Sequence, residues 1–276
     1  MEIIFNKLYC IDNKKTSMEK KYLDDVNLVI NKGSIVGFVG ENLRIIGDLI
    51  MAIKRPSKGE VKLDSLIIKR TSHIDNVLNL RKKVGCVYSS NIDMAIDETV
   101  KSLLKKTMKN YGYKPSNITK HMVDSLKIVG LDDSFLNREI KTLSSTEMKK
   151  VKLACVISYN PEVIILENFE KGLIYREREY FRKLFLKLKN KFKKTIILIT
   201  TDLSFLFEIV DKVFVINNGK LVISGDKDIF YEDKLYKYVE MPNIISFTKY
   251  AQQEDHHISE YTDIKELIKE LYRNVK

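Results

Sequence analysis

Tryptophan is absent from this chain of 276 residues, and cysteine (3), proline (4) and glycine (11) are sparse. The three cysteines, Cys10, Cys86 and Cys155, stand at unpatterned spacings. That excludes a disulfide framework and a cysteine metal motif, and it fits a reducing compartment. No apolar run approaches the ~20 residues that a membrane-spanning helix needs. The opening MEIIFNKLYCIDNKK has an early acid and no long apolar stretch, so no secretory signal is expected there. Internal repeats and low-complexity tracts are missing. So are Arg-Gly and aromatic-interleaved basic repeats, and nucleic acid is not an expected partner.

What is present is a globular composition, 44% hydrophobic and 31% charged, with a formal charge of +11. The lysines are scattered, with local density at 141–152 and 183–194, and read as a solvated surface. Such a charge would also suit work beside an anionic membrane face.

The elements alternate as in an α/β protein. Residues 2–11 and 22–30 read as strands of an opening antiparallel sheet, and 59–66 as a further strand pair. Ile35–Gly40, Val84–Tyr88, Thr195–Thr200 and Val213–Ile216 read as short buried strands, as does the run Val163–Leu166. Asn217–Lys220 (NNGK) is a hairpin signal. From about Ser90 to Asn160 the pattern is helical, with Ile118, Met122, Val123, Leu126 and Val129 on one face. Residues 176–192 predict an amphipathic helix burying Tyr180, Phe181, Leu184, Phe185, Leu188 and Phe192. After Gly225 comes a polar tail of about 50 residues that ends in a helical stripe.

The strand ending at Gly40 runs into ENLRIIGDLIMAI, and no Lys, Ser or Thr lies between Gly40 and Lys54. A phosphate-binding loop of the form GxxxxGK[ST] needs its lysine for the β- and γ-phosphates and its hydroxyl for magnesium. Glu167 ends a buried strand, where a nucleotide-binding α/β fold would hold a magnesium ion. Asn168 follows it.

The order LSSTE (Leu143–Glu147), basic helix, PEVIILENFEKGLI resembles the signature motif, Walker B strand and D-loop of ATP-binding-cassette (ABC) ATPases. The opening LYCIDNKKTSMEKKYLDDVNLVINKG, the segment LRKKVGCVYSSNIDMAIDETV and the C-terminal FYEDKLYKYVEMPNIISF resemble the ATPase subunits of energy-coupling-factor (ECF) transporters. The resemblance implies an ABC-type P-loop NTPase fold. That fold has a mostly parallel RecA-like sheet, an antiparallel β subdomain, and a helical signature subdomain at about 90–160. A cassette would span 1–228, and 229–276 would be a small extension for dimerisation. The resemblance also implies ATP and magnesium as cofactors, a second ATPase subunit and a transmembrane scaffold as partners, and a place at the inner face of the membrane.

Position by position, the chain departs from that pattern. Gly40, Glu41, Asn42 and Arg44 are what remains of the P-loop, and the span to Pro56 is about three residues shorter than the family's. Ser89 stands for the Q-loop glutamine, Glu167 for the Walker B aspartate, and Asn168 for the catalytic glutamate. Thr201 replaces the switch histidine, and His73, His121, His256 and His257 lie elsewhere. Ile174 replaces the D-loop aspartate. Ile11 falls at the adenine-stacking position, with Tyr9 as a substitute. Ser144 and Ser145 remain of the signature, where Glu147 is expected to repel a partner's phosphates. An amide cannot act as a general base. The departures predict a degenerate subunit, inactive on its own, paired with an intact sibling. Two other readings stay open. One is a divergent cassette that still binds nucleotide. The other is a repurposed fold that binds nucleic acid or protein through its basic surface.

Overall fold

Two sheets and a helical layer organise the computed structural model, which describes residues 1–13, 16–72, 77–89, 98–112, 115–253 and 264–274. The chain opens with the antiparallel pair β1 (Ile3–Asp12) and β2 (Lys20–Ile30), which alternate buried and exposed residues as a one-sided sheet does. A fully buried strand, β3 (Ile35–Gly40), leads to the short helix α1 (Arg44–Ile50). Next come the hairpin strands β4 (Lys58–Leu63) and β5 (Leu66–Lys69), extending the expected strand pair to residue 69. They complete a four-stranded sheet of order β2-β1-β4-β5. Gly59 permits this crossing: its φ is +80°, and a Cβ there would lie 1.9 Å from the Lys7 carbonyl oxygen.

Helix α2 (Val77–Lys83) then feeds β6 (Val84–Val87). The helical layer follows as α3 (Val100–Asn110), α4 (Pro115–Ile128) and α5 (Ser145–Ser158). Strand β7 (Val163–Glu167), α6 (Tyr175–Asn190), β8 (Thr195–Ile199), α7 (Leu203–Phe207), β9 (Lys212–Asn217) and β10 (Lys220–Asp226) finish the main sheet. Its order is β10-β9-β3-β8-β7-β6. Every pairing is parallel except β9–β10. The parallel strands are Val/Ile runs because helices and the second sheet cover both faces. The β9–β10 turn puts Asn218 (φ 49°) and Gly219 (φ 79°) in left-handed conformation, as the NNGK pattern requires.

On α4, Ile118, Met122, Leu126 and the following Val129 are buried, while Val123 is half-buried. On α6, Phe181, Leu184, Phe185 and Leu188 are buried as expected. Tyr180 is only half-buried, and Phe192 is 37% exposed because α6 stops at Asn190 and the periodicity no longer applies. Beyond residue 228, Ile229, Phe230, Leu235 and Ile245 join the main core. Helices α8 (Asn243–Gln253) and α9 (Ile264–Asn274) share a small cluster of Ala251 and Leu267 with Ile244 and Leu271. Among the described residues no helix is long and apolar enough to cross a membrane. The residues at 90–97, with His73, His256 and His257, lie outside the described part.

Candidate functional site: the C-terminal edge of the parallel sheet

In an open parallel sheet, ligands bind beyond the carboxyl ends of the strands. Here those ends carry Gly40 (β3), Tyr88 and Ser89 (after β6), Glu167 and Asn168 (β7), and Thr200 and Thr201 (after β8). The structure sorts the residues singled out above into two groups.

The first group is a cleft of about 240 Å³ formed by Gly40, Glu41 and Asn42 with Tyr22 and the Asn217–Gly219 turn. Gly40 has φ +140°, and a Cβ there would meet the Ile216 carbonyl oxygen at 2.1 Å. Only Glu41, Asn42 and Leu43 separate Gly40 from the start of α1 at Arg44. The GxxxxGK pattern sets four residues, a second glycine and a lysine after its first glycine, whereas here α1 begins after three residues. Asn42 instead accepts a hydrogen bond from Lys20 Nζ at 3.2 Å. Arg44 lays its guanidinium over the Tyr88 ring, 4.2 Å from the centroid. The Tyr88 hydroxyl donates to Asp48 Oδ1 at 2.7 Å, and burial pushes its pKa up, so the phenol stays protonated. The Tyr88 hydroxyl also lies where a Cβ on Gly47 would fall, at 2.8 Å.

Tyr9 is not among the residues lining this cleft; its ring lies under the Lys58 ammonium at 5.2 Å. Tyr22 occupies the cleft, with Lys20 and Lys54 over its ring at 5.0 and 4.7 Å. The sequence signal for Tyr22 was weak, an aromatic residue that follows two lysines at the start of a strand.

The second group is a cavity of about 440 Å³ that brings together Ser89, Ser145, Glu167 and Asn168. Ser89 donates twice to Glu167 Oε2, from its amide at 3.1 Å and its hydroxyl at 3.0 Å. Among the described residues no group of three or more His, Cys, Asp or Glu could hold a metal ion. Among those residues the cavity lining offers one carboxylate, Glu167, with the Ser89 hydroxyl on it. Asn168 adopts φ 46° and donates its amide to the Ile199 carbonyl at 2.8 Å. Thr201 is exposed and lines neither group.

Three hydrogen bonds beside this cavity escaped sequence reasoning. Buried Thr200 donates to buried Glu170 at 2.6 Å, joining the loop after β8 to the loop after β7. Desolvation raises the Glu170 pKa, and the Thr200 bond opposes that rise. Lys149 donates to the Phe169 and Lys171 carbonyls, bracing the same loop from α5.

At the start of α5, Ser144 is the N-cap and accepts from the Glu147 amide at 3.2 Å. Glu147 turns back to accept from the Ser144 amide at 2.8 Å, and its other oxygen takes Arg138 at 2.7 Å. The repulsion expected of Glu147 is thereby corrected. Its carboxylate closes a capping box and is neutralised within the chain. The Ser144 amide and Arg138 hold its pKa below the usual range.

A mainly parallel six-stranded sheet, an antiparallel flanking sheet and a three-helix layer behind a capped signature-like helix define a cassette ATPase fold. The family description "ABC transporter" matches residues 23–169, just over half of the chain, and the chain belongs to that family. It is 29% identical over 241 residues to the energy-coupling factor transporter ATP-binding protein EcfA2 of Enterococcus faecalis, covering 86% of this chain and 83% of that protein. To EcfA2 of Bacillus subtilis it is 28% identical over 244 residues, covering 86% and 88%. Among solved structures, cbiO1 from Clostridium perfringens, part of the ABC transporter complex cbiONQ, superposes with a TM-score of 0.74. That match has 21% identity and covers 90% of this chain and 98% of the other. A dimeric ATP-binding cassette bound to ADP and phosphate superposes with a TM-score of 0.71 at 20% identity, covering 82% of this chain and 98% of the other. Both likenesses support the fold.

Proposed function

We propose that this chain is a non-hydrolysing cassette subunit of an ECF-type uptake transporter. It works at the inner face of the membrane beside an intact sibling ATPase and transmits the sibling's cycle to a transmembrane scaffold. The observation that carries the reading is the three-residue turn between Gly40 and α1, which leaves no cradle for a triphosphate. The tie of Ser89 to Glu167 supports it, because phosphoryl transfer relies on a metal and positioned charge at that edge. Asn168 lacks the basicity to activate water.

The scaffold's docking place in this reading is a groove of about 340 Å³ between β6, α3 and α5. Tyr88, Tyr111, Tyr159 and Lys106 are among the residues lining it. Its aromatic walls suit an amphipathic helix laid into a groove. The 229–276 extension would serve dimerisation, through the exposed Phe247 and Tyr250 of α8 and Ile268 and Tyr272 of α9. The test is ATP turnover by the reconstituted complex of this chain with a sibling ATPase and scaffold. Glu167→Gln and Asn168→Asp in this chain should leave turnover within about twofold, whereas the matching changes in the sibling should abolish it. A hundredfold loss from Glu167→Gln would overturn the proposal.

A further inference from the structure

The cavity beside Glu167 has a second property that hydrolysis, present or lost, does not require. Lys149 and Lys152 lie three residues apart on α5, therefore on one helix face, and both line it. Lys171 lines it as well, from the loop after β7. Among the described residues the one lining acid set against these three cations is Glu167, which accepts two hydrogen bonds from Ser89.

Lys149 and Lys152 are half-buried. The Lys149 ammonium donates to the Phe169 and Lys171 carbonyls and lies over the Phe169 ring, with Glu170 and Glu177 acting on it at longer range. Among the described residues Lys152 makes no ion pair or hydrogen bond. Burial pushes the pKa of both amines down; Glu170 and Glu177 oppose that on Lys149, whereas burial alone acts on Lys152. Ser145, at the start of the same helix, and Asn168 add polar groups able to donate to oxygen.

We propose that this cavity binds a small phosphate-bearing anion, held by Lys149 and Lys152 with Lys171, Ser145 and Asn168 around it. The anion supplies the negative charge that the wall of α5 lacks, and its several oxygens bridge ammonium groups that would otherwise repel one another. The site uses α5 and the loop after β7, not the turn after Gly40. It therefore stands whether or not the proposed function holds.

The test is calorimetric titration of the full-length protein with sodium pyrophosphate in EDTA, at ionic strength held constant with sodium chloride. One saturable site is expected. Lys152→Met, which keeps the aliphatic volume and removes the charge, should weaken it at least tenfold. Lys152→Arg should stay within about threefold, which separates lost charge from lost fold. Arg44→Met and Lys141→Met should change affinity less than twofold, the first controlling for the turn after Gly40 and the second for net charge. Titration with ATP in EDTA identifies the source of the phosphate. A K152M-sensitive ATP heat assigns a nucleotide's phosphates, and pyrophosphate binding alone assigns a free inorganic anion. No saturable pyrophosphate heat, a K152M variant that binds like the wild type, or equal losses in K152M and R44M would each overturn the proposal.

Discussion

Replacing Thr200 by valine keeps the shape of a buried side chain and removes one oxygen with two duties. That oxygen donates to Glu170 at 2.6 Å and accepts from the Asp202 amide at 2.9 Å. A hydrogen bond to a buried charge is worth about 2 kcal/mol, and an orphaned, partly buried amide costs about 1 kcal/mol more. The expected loss at pH 7.5 is therefore about 3 kcal/mol, or about 6 °C in Tm for a domain of this size. The cost should depend on pH. Because the folded-state pKa of Glu170 is raised, its contribution is full at acid pH and is lost as pH climbs through that value. Thr200→Val removes the bond that opposes the rise, so its penalty should grow from pH 5.5 to pH 7.5. In a Glu170→Gln background no charge is left to strand, and the valine should cost only about 1 kcal/mol. Scanning calorimetry of the wild type, both single variants and the double variant at the two pH values closes the cycle. An equal penalty at both pH values and in both backgrounds would refute the idea that a buried carboxylate joins these two loops.

Gly40→Ala should give little folded protein, since its Cβ would sit 2.1 Å from the Ile216 carbonyl oxygen at φ +140°. Gly172→Ala has open space around it and only φ +74° to bear, so it should cost about 1 kcal/mol, read as a Tm shift of about 2 °C. Ser144→Ala removes the cap of α5 and should also cost about 1 kcal/mol by denaturant unfolding. Glu147 has a depressed pKa, so its stabilisation is present above the unfolded-state value and is lost as pH falls through the folded one. The penalty of Glu147→Gln should accordingly fade as pH falls through the depressed folded-state value, where the wild type is protonated as well.

Local pattern revealed much of this architecture. The runs IVGFVG, VIILE and TIILI are too short and too apolar for anything but covered strands, and NNGK can hardly be read otherwise than as a tight turn. The spacing Ser144-x-x-Glu147 is also a local signal, that of a capping box. Reading Glu147 only as a source of repulsion hid it. The contacts that shape the site are not local. Tyr88 reaches Asp48 across 40 positions and Ser89 reaches Glu167 across 78. No periodicity in either segment encodes the strand order that brings β6 beside β7 and both over α1. Arg44 likewise looked like a stray cation until Tyr88 lay beneath it.

The spacing between Gly40 and α1 also bears on descent. A changed side chain can be changed back by one base substitution, but a turn three residues long cannot be lengthened that way. On the proposed reading, rebuilding a cradle would take an insertion, and a lineage that carries this turn draws its energy from another polypeptide.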